Sequence, residues 1–153
     1  MFKKIKISIF IMFMFLCLGN VQFNDSAEAS SKYKNVTLKV DGMNAALTNG
    51  LLKIQFGSDG SVHSLVKNGK ELVGNLAGAS RDPDKNRSFY VDYHSGGVKQ
   101  LKPSEMKVIK NTSDMAHIAY IDYTGLLYLE YHIIMMKGQS GIYSYVIAKN
   151  QKD

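Results

Sequence analysis

Cysteine is nearly missing from this sequence: its one example, Cys17, falls within the first 29 residues. Everything after that point has no thiol, which excludes a disulfide framework and any cysteine-ligated metal site, and leaves a packed core as the source of stability. Long apolar runs are also absent. The longest, residues 7–18, has 12 residues, against the roughly 20 that a membrane-spanning helix needs, and nothing downstream resembles it. No run of Lys and Arg marks a nucleic-acid groove. No Gly-x-Ser-x-Gly elbow and no glycine-rich phosphate loop occurs, so the common serine hydrolase and nucleotide-binding readings fall away. A convincing helical periodicity is missing too.

What is present begins with an export address. Lys3, Lys4 and Lys6 precede the apolar run, and a polar stretch then ends in Ala27-Glu28-Ala29, the layout of a secretory signal peptide. Residues 1–29 are therefore expected to be removed, leaving 30–153 as a secreted, extracellular domain with no membrane attachment. From Ser30 onward there are 16 Lys plus Arg against 11 Asp plus Glu, a net charge of +5. In an exported protein such a balance suits an acidic polysaccharide or an anionic envelope surface better than nucleic acid.

Short segments rich in Val, Ile, Tyr and Phe alternate with Gly, Asn and Asp, which predicts an all-β, antiparallel chain. Expected strands are 36–40, 51–56, 62–67, 89–93, 106–110, 116–123, 126–136 and 142–148. Asp59-Gly60, Asn68-Gly69 and Thr124-Gly125 have the chemistry of hairpin turns. In 126–136, Leu127, Leu129, Tyr131, Ile133 and Met135 share one face, while Tyr128, Glu130, His132, Ile134 and Met136 share the other. One apolar and one mixed face predict a strand in a sheet packed on a second sheet, a β-sandwich. Residues 74–88 read as an exposed polar loop.

Candidate chemistry is sparse. Asp82, Asp84 and Asn86 alternate as the first ligands of an EF-hand do, but Arg87 takes the required glycine position and Tyr93 the required glutamate. Asp92 and His94 are two apart on an expected strand and so share a face. His63, His117 and His132 stand alone in the sequence, without metal-ligand spacing. Six of the nine tyrosines fall between residues 120 and 145, where they serve strand packing, with one or two available to a sugar ring. No metal site and no cofactor is expected.

Four segments carry a resemblance: Leu47-Thr48-Asn49-Gly50-Leu51-Leu52-Lys53-Ile54, Gly60-Ser61-Val62-His63-Ser64-Leu65-Val66-Lys67-Asn68-Gly69-Lys70-Glu71-Leu72, Asn86-Arg87-Ser88-Phe89-Tyr90-Val91-Asp92-Tyr93, and Gly141-Ile142-Tyr143-Ser144-Tyr145-Val146-Ile147. In order and spacing they resemble the start of the rhamnogalacturonan lyases of polysaccharide lyase family four. The resemblance implies an incomplete β-sandwich of the galactose-mutarotase-like supersandwich type, followed in full-length members by a fibronectin-like domain and a carbohydrate-binding jelly roll. It implies β-elimination of the rhamnose-galacturonate backbone of pectin, with rhamnogalacturonan I as the partner of a monomeric protein. The family's catalytic lysine and histidine match no residue here, so no catalytic residue is assigned and the chain alone is expected to be inactive. Arg87 and His94 are the candidate contacts to an acidic sugar. The alternative is a freestanding, non-catalytic carbohydrate-binding or surface-adhesion module.

Overall fold

A computed structural model describes residues 32–73, 88–94 and 96–151. The segment read as an export signal, and the stretch with Asp82, Asp84, Asn86 and Arg87 read as a polar loop, lie outside the described residues. Among the described residues eleven strands follow in chain order: β1 Thr37–Asp41, β2 Asn44–Thr48, β3 Leu52–Phe56, β4 Val62–Lys67, β5 Lys70–Glu71, β6 Asp92–His94, β7 Val98–Gln100, β8 Glu105–Asn111, β9 Met115–Asp122, β10 Leu127–Met136 and β11 Ile142–Asn150. They form a five-stranded sheet in the order β1-β2-β3-β4-β5, a four-stranded sheet in the order β11-β10-β9-β8, and a small β6-β7 hairpin. All pairs are antiparallel. The architecture is the expected all-β sandwich.

Alternation of side chains creates its core. Ala45 and Leu47 of β2, Leu52, Ile54 and Phe56 of β3, and Val62 of β4 are buried against Ala116, Ile118 and Tyr120 of β9 and Leu129, Tyr131, Ile133 and Met135 of β10. The apolar face read from the alternation of β10 is thus the face turned to the other sheet. Tyr120 bridges the layers with both of its parts: its ring lies 6.2 Å from that of Phe56, and its hydroxyl donates to the Met43 carbonyl at 2.9 Å. Burial of the ring, with Asp59 nearby, pushes its pKa well above that of an ordinary tyrosine.

Local chemistry closes the hairpins. Asn68 and Gly69 both adopt positive φ (52° and 74°), the mirror-image geometry that matches strand twist, and so join β4 to β5. The β9–β10 turn closes differently. There the Asp122 carboxylate accepts from the backbone N–H of Thr124 and Gly125 and from the Thr124 hydroxyl.

Three strands escaped the sequence reading, and one begins later than expected. β2 contains Ala45-Ala46, weak strand formers, and its entry signal is Asp41-Gly42, with Gly42 at φ 57°. β5 and β7 have two and three residues, too short for periodicity to register. The strand expected over 89–93 starts at Asp92 because Phe89 sits at φ 53°, outside the extended region.

One end of the sandwich is tied by a buried amide. Asn49, fully buried, donates to the carbonyls of Met136 (2.8 Å) and Gln139 (2.6 Å) at the β10–β11 turn. Its oxygen accepts from the N–H groups of Leu51 and Leu52. Beside it, Val36 N–H donates to the Ser113 carbonyl, and Lys137 reaches the Asn35 side chain at 2.9 Å. Truncating Asn49 strands four backbone groups away from water. Asn49→Ala is expected to lower unfolding stability by about 3 kcal/mol or more, read from urea titration; a loss below about 1 kcal/mol would show that the tie matters little. Asn49→Asp keeps the two accepted bonds and loses the two donated ones, so it should fall at least as far as the loss of those two bonds.

Candidate functional site

The outer face of the four-stranded sheet gathers groups that are far apart in sequence. In the β9–β10 register Ala119 lies opposite His132 and His117 opposite Ile134. The small alanine leaves room for the diagonal neighbour, and His117 Nε2 meets His132 Nδ1 at 2.9 Å. His132 Nε2 lies 2.8 Å from a Glu130 carboxylate oxygen, and the other Glu130 oxygen accepts from the Tyr128 hydroxyl at 2.5 Å. Tyr145 of β11, opposite His132, stacks on its ring at 4.4 Å and 7°. Lys149 stands 5.3 Å over the Tyr128 ring.

With both histidines neutral the chain has one direction. A carboxylate only accepts, so His132 presents its Nε2–H to Glu130 and accepts at Nδ1, and His117 donates from Nε2. His132 is buried while Tyr145 is half exposed. Hydrogen bonds from Tyr128 first, then from His132, hold the Glu130 carboxyl below the usual carboxylate range. Burial, then the neighbouring His132, lowers the pKa of His117, which favours its neutral form. The arrangement is a carboxylate-anchored acid–base relay beneath an aromatic platform.

A second feature is a groove of about 970 Å³ between the β6–β7 hairpin and the β9–β10 turn, lined by Tyr93, Lys99, Gln100, Lys102, Asp122 and Thr124 among others. Asp122 builds its wall, accepting from the Lys102 N–H at 3.1 Å as well as from the turn. Burial opposes the charge on Asp122, but the N–H groups around it outweigh that cost and keep its pKa below normal. Tyr93 lies opposite Lys99, so both project from one face of the hairpin. His94, exposed in β6, projects with Asp92 from the opposite face. Arg87 lies outside the described residues.

Ser61, His63 and Asp59 also meet, with the Ser61 hydroxyl 2.8 Å from each Asp59 oxygen and 3.1 Å from His63 Nε2. This is not a nucleophile arrangement. Ser61 is buried, and its one proton is committed to the aspartate, which also accepts from the Ser61 N–H; the group braces the β3–β4 turn. Among the described residues no group of three or more His, Cys, Asp or Glu is placed to hold a metal ion.

No protein-family model matches the chain. It is, however, 57% identical over 116 residues to the rhamnogalacturonate lyase of Dickeya dadantii (strain 3937), a match covering 75% of this chain and 20% of that relative. The chain belongs to the rhamnogalacturonan lyases. It spans about a fifth of the length of the curated relative it matches.

For this lyase-family chain, the histidine pair was hidden from sequence reading because His117 and His132 are 15 residues apart on different strands. One signal did exist: Glu130 and His132 sit two apart on a strand whose outward positions were already assigned, as Tyr128 and Glu130 do. Only the partner strand's register was missing.

The relay makes stability depend on pH. His117 has a folded pKa below its ordinary 6.5. As pH falls through that value the unfolded chain takes up a proton that the folded chain refuses, so stability is complete above it and declines below. Glu130, also lowered, adds its loss at more acid pH. The thermal midpoint is therefore expected to drop between about pH 7 and 5, and His117→Gln, which retains a donor for His132, should drop less over the same window. An unchanged slope in the variant would exclude His117 as its source.

Proposed function

We propose that this chain contributes part of the sugar-contacting β-sandwich of an exported, pectin-degrading rhamnogalacturonan lyase, and that it does not cleave its substrate alone. The observation that carries the reading is the 57% identity to a rhamnogalacturonate lyase. Four fifths of that relative lie beyond the match, which leaves ample room for groups that this chain does not supply.

In β-elimination on a rhamnose-galacturonate backbone, a base removes the proton on C5 of galacturonate. Charge then develops on the uronate carboxylate, and the C4 oxygen departs with its sugar. A cationic surface serves such a substrate twice, holding the alternating carboxylates and stabilising the developing charge. Among the described residues, Tyr93, Lys99 and Lys102 line a groove of about 970 Å³, which brings one aromatic and two basic residues to the same surface. Arg87 and His94 remain candidate contacts to an acidic sugar because they flank the stretch read from sequence as an exposed polar loop. Export rests on the order of basic, apolar and Ala-Glu-Ala segments in residues 1–29.

Two measurements test this. Incubated with rhamnogalacturonan I, the chain is expected to generate no unsaturated uronide absorbance; clear activity would sink the proposal that it is inactive alone. Binding of acidic pectic oligosaccharides at low salt should weaken roughly tenfold in Lys99→Ala/Lys102→Ala, with a shallower salt dependence, whereas equal affinity in the variant would move the ligand away from this groove. Export has its own readout, because protein recovered outside the cytoplasm should begin at Ser30 by intact mass.

A further inference from the structure

Glycine at position 125 is not demanded by its own backbone. The Thr124-Gly125 turn joins β9 to β10 without a positive φ at Gly125, so left-handed geometry is not what requires glycine there. Space is what excludes a side chain. A methyl group built on Gly125 would stand 3.0 Å from the Tyr93 hydroxyl oxygen, and 3.6 Å from both an Asp122 carboxylate oxygen and the Leu127 carbonyl. The first distance is tighter than ordinary contact and the other two are not. The tip of Tyr93 is thus seated against the turn where the turn lacks a side chain.

The two sides of this contact are unequally held. On one side, the buried Asp122 carboxylate accepts from the Thr124 N–H and hydroxyl, from the Gly125 N–H and from the Lys102 N–H. One side chain therefore binds the turn and the Lys102 backbone together. On the other side, Tyr93 belongs to a hairpin of three residue pairs, Asp92↔Gln100, Tyr93↔Lys99 and His94↔Val98, which forms a sheet of its own. A short two-stranded ribbon has little stiffness by itself. When the contact is crowded the hairpin is the side that gives, and Lys99 moves with Tyr93 while Lys102 stays with the turn.

We infer that Gly125 is a positioning residue of this groove: by leaving room for the Tyr93 hydroxyl, it fixes Tyr93 and Lys99 of the hairpin relative to Lys102 beside the turn. The inference rests on the reading of the groove as a contact to acidic pectic sugar. Asp122 also lines the groove, but its oxygens are engaged by the N–H and O–H groups around it. A ligand carboxylate is left to the ammonium groups, and the Tyr93–Gly125 contact sets how Lys99 and Lys102 stand to one another.

Affinity for acidic pectic oligosaccharides at low salt is expected to fall at least about fivefold in Gly125→Ala. Tyr93→Phe removes the oxygen that the new methyl group meets. Adding Gly125→Ala in that background should change affinity by less than about twofold, whatever Tyr93→Phe costs alone. The ligand-free protein supplies an independent readout. Backbone amide NMR shifts of residues 92–94 and 98–100 should move in Gly125→Ala, and should stay in place when Gly125→Ala is added to Tyr93→Phe, a pattern that a general loss of stability does not produce. No binding by the wild-type chain, or binding that survives Lys99→Ala/Lys102→Ala, would remove the groove reading and this inference with it. Binding that those lysine changes weaken, while Gly125→Ala binds like the wild type, overturns the inference alone. So do equal losses in the two backgrounds, amide shifts confined to residues 122–126, or a Gly125→Ala chain that fails to fold.

Discussion

Asn49 lies fully buried between the β2–β3 turn and the β10–β11 turn, and its amide is used from both ends. Two sheets packed through side chains alone are free to slide, because apolar contact is non-directional. A buried amide with both donors and its acceptor engaged is directional, and leaving any of these groups unpaired is costly. Asn49 therefore sets the relative position of the sheets at that end, while Tyr120, through its bond to the Met43 carbonyl, ties the same layers elsewhere.

That alignment governs the outer surface. With the inner positions of β9 and β10 committed to the core, their alternate positions must face outward together, and the β9–β10 register then determines which of them meet. A slip of one residue would exchange the faces, burying His132 and Glu130 among aliphatic side chains. The acid–base relay is thus a consequence of how the apolar face is packed. The groove beside Asp122 depends on the same strands from their other end, since the carboxylate that closes the β9–β10 turn also holds the backbone leading from the β6–β7 hairpin.

The outer strands of the four-stranded sheet are unequal. The pairing of β8 with β9 shifts register between Val108 and Lys110, and Lys107 and Lys110 stand on β8, whereas β11 pairs with β10 in unbroken register. Among the described residues the four-stranded sheet thus has one irregular, lysine-bearing edge and one regular edge.

The sequence by itself determined the secondary-structure class, the inward and outward faces of β10, the turn at Asn68-Gly69, the absence of disulfides and the family. These are local properties: steric preference, two-residue alternation and residue identity are written in neighbouring positions. Asn49-Gly50 was legible only as part of a common turn pattern, and His117 and His132 only as isolated residues. Which turn the Asn49 amide reaches, which histidine lies diagonal to the other, and which strand is left at an edge were decided by tertiary structure alone. Each of these depends on strand register and sheet order, which are set when distant segments close on a shared core, and no single segment carries that closure within itself.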